Sequence, residues 1–73
     1  PTHGLSLSQM NEIRFFCIQL MRTEGMLLWQ KLALLGLFCE SLTSALKEGR
    51  QSKVSEIIAS TQNLILKNQT EFF

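Results

Sequence analysis

Apolar side chains return along most of this chain at steps of three and four residues, and glycines divide that pattern into three blocks. The heaviest apolar run is MLLWQKLALLGLFC, from Met26 to Cys39, in which only Gln30 and Lys31 are strongly polar. Alternating stretches rich in Val, Ile and Thr, which would signal strands, are missing, so the reading is helical throughout. Ser6-Leu7-Ser8-Gln9 has the form of a capping box, in which the serine hydroxyl and the glutamine side chain each satisfy the other's free backbone amide, with Leu5 and Met10 spaced for a hydrophobic staple. A first helix is therefore predicted over 6–24, closed by Gly25 in the left-handed conformation with Met21 and Met26 as its apolar contact. A second helix is predicted over 26–48, about 34 Å long at 1.5 Å per residue, with Gly49 as its stop. The third is predicted to start at Ser52 as N-cap and to run through Asn68 or beyond.

The spacing also assigns faces. In the second helix Leu28, Leu32, Leu35, Cys39, Leu42 and Leu46 form one stripe, with Leu27, Leu34, Phe38 and Ala45 beside it. A stripe that wide suits a helix touching two neighbours. The matching faces are Met10, Ile13, Phe16, Cys17, Leu20 and Met21 in the first helix, and Val54, Ile57, Ile58, Thr61, Leu64, Ile65 and Phe72 in the third. Short connections force antiparallel neighbours, so the predicted fold is all-α, an antiparallel three-helix bundle with a long central second helix. Counting outward from the turns places Leu46 near Val54, Leu42 near Ile57 and Ile58, and Leu35 near Leu64 and Ile65. The same count puts Cys39 near Met10, away from Cys17, which argues against an internal disulfide.

Seventy-three residues, 45% of them hydrophobic and 18% charged, fit a single packed domain over 1–73 instead of a disordered chain. A chain that begins Pro-Thr-His-Gly and ends Thr-Glu-Phe-Phe reads as a piece excised from a larger protein. The formal charge is +1, with charges scattered singly, so nucleic acid is disfavoured as a partner. Lys47, Arg50 and Lys53 make the nearest approach to a basic cluster, and with Glu48 among them they read as a solvated turn; the alternative is a peripheral membrane or nucleic-acid binder working through that turn. The apolar run is 14 residues long, short of the roughly 20 that span a bilayer, so a membrane span is disfavoured as well. Cys17 and Cys39 are too few for a disulfide framework and read as buried free thiols, which sets an intracellular location, nuclear or cytoplasmic, ahead of a secreted one. The rival is a secreted helical signalling fragment glycosylated at the Asn68-Gln69-Thr70 sequon.

Catalysis needs a constellation of base, nucleophile or metal, and the chain offers one histidine, His3, with no tyrosine and no aspartate. An enzyme is not predicted, nor a metal centre, a cofactor or a small-molecule substrate. Two fragments are similar to helix-docking motifs: Leu34-Leu35-Gly36-Leu37-Phe38 to short leucine motifs, and Leu32 to Gly36 to the Leu-x-x-x-Gly of pro-apoptotic helices, where Leu37 stands in place of the acidic residue that should follow. Leucine at helical spacing reads as core first. What the core does not use is more telling. Trp29, Ala33, Gly36 and Leu37, with Glu40 among them, lie on the far side of the second helix, where Ala33 and Gly36 form a shallow notch between larger side chains. Phe15 and Ile18 are a comparable surplus on the first helix, and Leu66 and Phe73 on the third. A contiguous apolar patch marks a partner surface, and tryptophan is enriched where binding energy concentrates. The sequence thus predicts a non-catalytic protein–protein interaction or oligomerisation module, whose partner is a helix of another protein or a second copy.

Overall fold

The computed structural model describes residues 4–72, with side chains through Gln69. Its elements are α1 (Leu7–Arg22), α2 (Leu28–Lys47), a 3-10 turn (Gln51–Lys53) and α3 (Val54–Phe72). Among the described residues there is no strand, and the chain is an all-α three-helix bundle measuring 41 × 19 × 17 Å. The expectations for His3, Thr70, Phe72 and Phe73 fall on side chains outside the described ones.

The ends of the helices follow from local chemistry. Ser6 caps α1 as predicted: the Gln9 N–H donates to Ser6 Oγ at 3.1 Å and the Ser6 N–H donates to Gln9 Oε1 at 3.0 Å. At the far end α1 stops at Arg22, short of the predicted Glu24, because Thr23 turns to an extended conformation while its hydroxyl donates to the Gln19 carbonyl at 2.8 Å. Gly25 takes a positive φ of 83°, but within the connection instead of as the helix stop. Leu27 occupies the N-cap of α2 and has no side-chain acceptor, so only half of a capping box forms: its N–H donates to Gln30 Oε1 at 2.8 Å. That bond explains how Gln30 can sit buried in the core. The end of α2 is a Schellman motif, in which Gly49 N–H donates to Leu46 O at 3.1 Å and Arg50 N–H to Ala45 O at 2.8 Å, with Gly49 at φ 73°. α3 is entered through the 3-10 turn and not through a Ser52 cap.

α1 and α3 run parallel. Gln9 Nε2 donates to Gln51 O at 2.8 Å, Ser55 Oγ to Glu12 Oε2 at 3.0 Å, and Gln69 Nε2 to Glu24 O at 3.1 Å, so the offset stays between 42 and 45 residues along the length of the bundle. α2 runs antiparallel to both. It is the longest helix, at 20 residues against 16 and 19. Because α1 and α3 also meet each other, the bundle closes as a triangle and α2 has one buried face. The core consists of Phe16 and Leu20 from α1, Met26, Leu34 and Phe38 from the first connection and α2, and Val54, Ile58 and Ile65 from α3. Ile13, Cys17, Leu35, Leu42 and Ile57 pack against its edge. Thr61 is buried among them with its hydroxyl donating to Ile57 O at 3.0 Å, and among the described residues no buried side-chain polar atom is left without a partner.

Two expectations are corrected here. The stripe Leu28, Leu32, Leu35, Cys39, Leu42, Leu46 is not the centre of the core: Leu28, Leu32 and Cys39 are exposed, while Leu34, Phe38 and Ala45 of the second stripe are buried. The physical reason is the triangle, since a helix in contact with two mutually touching neighbours needs a narrower apolar face than one wedged between two separated ones. The register of α1 on α2 also differs. Phe16 stacks on Phe38, where counting from Gly25 places Cys39 beside Met10; the two helices are displaced by roughly one and a half turns relative to that count. The connection over 23–27 is longer than a single-glycine turn and lets them slide.

Candidate interaction surface

Three ridges leave the buried face of α2, each spaced four, three and four residues. The first, Leu28, Leu32, Leu35 and Cys39, borders α1. Leu35 is partly covered, but Leu28 is 62% exposed and Leu32 53%. The second ridge is Trp29, Ala33, Gly36 and Glu40, on the outermost line of the helix; all four are exposed, the indole at 65%. The sequence sets these four residues apart together with Leu37, and the helix aligns the four without it. At Gly36 an added Cβ would have no heavy atom within 4 Å, so the glycine is not making room for α1 or α3. The notch between Trp29 and Glu40 is open to solvent.

The third ridge carries Leu37, and it lies elsewhere. Leu37 lines a groove of about 400 Å³ between α2 and α3, floored by Ala45, Ile57 and Leu64 and walled by Ser41, Ser44 and Ser60. Phe15 and Ile18 share the outer face of α1, around a shallow hollow with Asn11 and Arg14. The predicted surface residues of the first two helices are therefore all exposed, but they fall into three places: the outer line of α2, the α2–α3 groove and the outer face of α1; Leu66 is exposed on α3, and Phe73 lies outside the described residues. Leu27, Leu28 and Leu32, which spacing alone assigns to the core, belong with Trp29 on the exposed surface. With Met21 of α1, also exposed, they gather the large apolar side chains toward the bundle end formed by the α1–α2 connection.

The opposite end is charged. Arg50 Nε lies 3.2 Å from Glu48 Oε2, and Lys53 Nζ lies 3.0 Å from Glu56 Oε2, so two members of the basic turn face carboxylates in exposed ion pairs. Between the ends, Cys17 is half-buried and Cys39 exposed, both as free thiols. The reading of both as buried is corrected for Cys39, which stands on the flank of α2 and not on its buried face. Burial pushes the Cys17 thiol above its ordinary range, and the neighbouring Cys39 adds to the effect. No helix among the described residues is long and apolar enough to cross a membrane, and none of their His, Cys, Asp or Glu side chains gather in a group of three that could hold a metal ion.

Residues 14–72 match the model of the FliB lysine N-methylase C-terminal domain. The chain belongs to that family. No curated protein and no solved structure matches it. The matched span starts inside α1 and takes in all of α2 and α3, so the Phe16–Phe38 contact and the ridges of α2 lie within it, while the capping box at Ser6 precedes it.

Proposed function

We propose that this bundle is the helical C-terminal part of a lysine N-methylase and that its own task there is contact, not catalysis: it holds the remainder of the enzyme, or a helix belonging to it, against the exposed first half of α2. One observation carries this reading. Leu27, Leu28, Trp29 and Leu32 are each more than half exposed over the N-cap and first turns of α2. Singly exposed leucines are ordinary, but a cluster of this size on one helix marks a binding site. Trp29 supplies the kind of broad rigid side chain that dominates interface energy, and the notch at Gly36 lets a second helix come close. Family membership supplies the context: a domain named for the C-terminal part of a methylase has the rest of a methylase as its nearest partner. The two thiols, both free, fit an intracellular setting. The ion-paired turn weakens the nucleic-acid alternative, since neutralised cations release fewer counterions from a phosphate backbone.

The test uses the complete methylase and its two parts expressed separately. Leu28→Glu with Trp29→Glu should leave the helical circular dichroism of the domain unchanged, abolish its association with the remainder, and lower lysine methylation by the complete enzyme. Association and methylation at parental levels in that variant would refute the reading. A solution mass of the isolated domain that rises with concentration, and that the same variant returns to monomer, would instead assign the surface to a second copy.

A further inference from the structure

The Phe16–Phe38 pair has neighbours of chemical interest. Cys17 follows Phe16 in α1 and Cys39 follows Phe38 in α2, and the two helices are antiparallel. In a right-handed helix each next residue lies about 100° further round, and in an antiparallel pair the two rotations carry residues toward the same side of the interface. Both cysteines are thereby turned away from α3, onto the outer rim of the α1–α2 contact, with about 3 Å between their heights. Their burial agrees: Cys17 is half-covered at the rim and Cys39 is open to solvent. The two thiols are also near enough for Cys39 to weigh on the ionisation of Cys17, which sets both sulfurs along that one rim.

We infer that Cys17 and Cys39 are a redox-modifiable thiol pair, which hydrogen peroxide converts into a disulfide joining α1 to α2. The exposed Cys39 reacts first. Its thiolate attacks one peroxide oxygen, the O–O bond breaks, a sulfenic acid forms on Cys39, and with one proton the other oxygen leaves as water. Cys17 then gives up its proton and attacks the Cys39 sulfur; the S–O bond breaks and a second water departs. Two thiols have lost two electrons in all, and one peroxide has gained them. The order follows from the positions, because Cys17 is half-buried with its ionisation disfavoured, so it is the poorer first nucleophile and the better placed resolving thiol.

The experiment treats the purified chain with hydrogen peroxide, blocks remaining thiols with N-ethylmaleimide and maps peptides without reduction. Expected is a linked pair of peptides containing Cys17 and Cys39, about 2 Da lighter than the dithiol. Its yield should not change with protein concentration, and either Cys17→Ser or Cys39→Ser should abolish it. The oxidised chain should also melt about 10 °C higher, because the bridge closes a loop of about 20 residues in the unfolded state. Sulfinic or sulfonic acid on Cys39 with Cys17 still open to the maleimide would overturn the inference, and so would Cys39–Cys39 dimers whose yield rises with concentration. The parent chain gives these readouts without any variant, so they decide the matter even if a serine variant fails to fold.

Discussion

Phe16 of α1 and Phe38 of α2 stack as a tilted pair, ring centroids 4.7 Å apart and planes at 48°, and both rings lie in the core. Such pairs add about 0.5–1.5 kcal/mol beyond the area they bury, and here the pair also fixes how far α1 has slid along α2. Phe38 is 1% exposed. Phe38→Ala is expected to cost about 3–5 kcal/mol, about half of the roughly 4–10 kcal/mol that a chain of this size commands. Urea unfolding followed by circular dichroism should find the midpoint of the variant well below that of the parent. A midpoint near that of the parent would remove Phe38 from the centre of the core.

Leu32 and Leu34 are two residues apart on α2 and should behave as opposites. Leu34 is buried and Leu34→Ala is expected to lose about 2–5 kcal/mol, whereas Leu32→Ala, at a half-exposed position, should change stability by no more than about 0.5 kcal/mol. Equal losses in matched urea titrations would mean that α2 is covered on both flanks in solution.

That contrast also shows how far the sequence could be read. The three helices were legible because leucine, isoleucine and phenylalanine repeat at the helical period and because Ser6 with Gln9, and Gly49, carry their own start and stop chemistry. Which half of α2 turns inward was not, since leucines at 27, 28, 32, 34, 35, 37, 42 and 46 ring most of the helix and the period fits more than one face. The deciding fact is the contact between α1 and α3, made by pairs such as Glu12 with Ser55 that no local pattern announces. The outer line from Trp29 to Glu40 could be set apart because its small residues at 33 and 36 interrupt the leucines. Leu28 and Leu32 were not, because, residue by residue, an exposed leucine looks the same as a buried one.

Gly36 and Gly49 should answer opposite ways to the same substitution. Gly36 is inside α2 with empty space where a Cβ would stand, so Gly36→Ala is expected to stabilise the chain by about 0.5–1 kcal/mol by reducing backbone freedom in the unfolded state. Gly49 closes the Schellman motif at φ 73°, where an L side chain is strained, so Gly49→Ala should cost about 1 kcal/mol. Melting temperatures of the two variants against the parent check both. If Gly36→Ala were destabilising, the outer line of α2 would be packed against something in this chain. If it stabilises the domain while weakening association, the notch serves the partner.

Trp29 gives the proposed docking surface its own optical reporter, because it is the single tryptophan of the chain and is 65% exposed. In the dilute isolated domain it should emit as a solvated indole and be quenched freely by acrylamide. Docking onto the first half of α2 takes the ring out of water, so adding the remainder of the methylase should shift the emission to shorter wavelength and protect it from quencher. The contact is apolar, so the shift should persist when sodium chloride is raised to screen charges, whereas binding through Lys47, Arg50 and Lys53 would fade as the Debye length shrinks. Leu32→Glu, one turn from Trp29 and outside the core, should keep the helical signal and lose the shift by placing a charge in a contact that excludes water. An indole already shielded in the dilute domain would show that the chain covers its own surface. Association that leaves the emission unmoved would place the contact away from α2, and Phe15 with Ile18 on the outer face of α1 would be the next residues to vary.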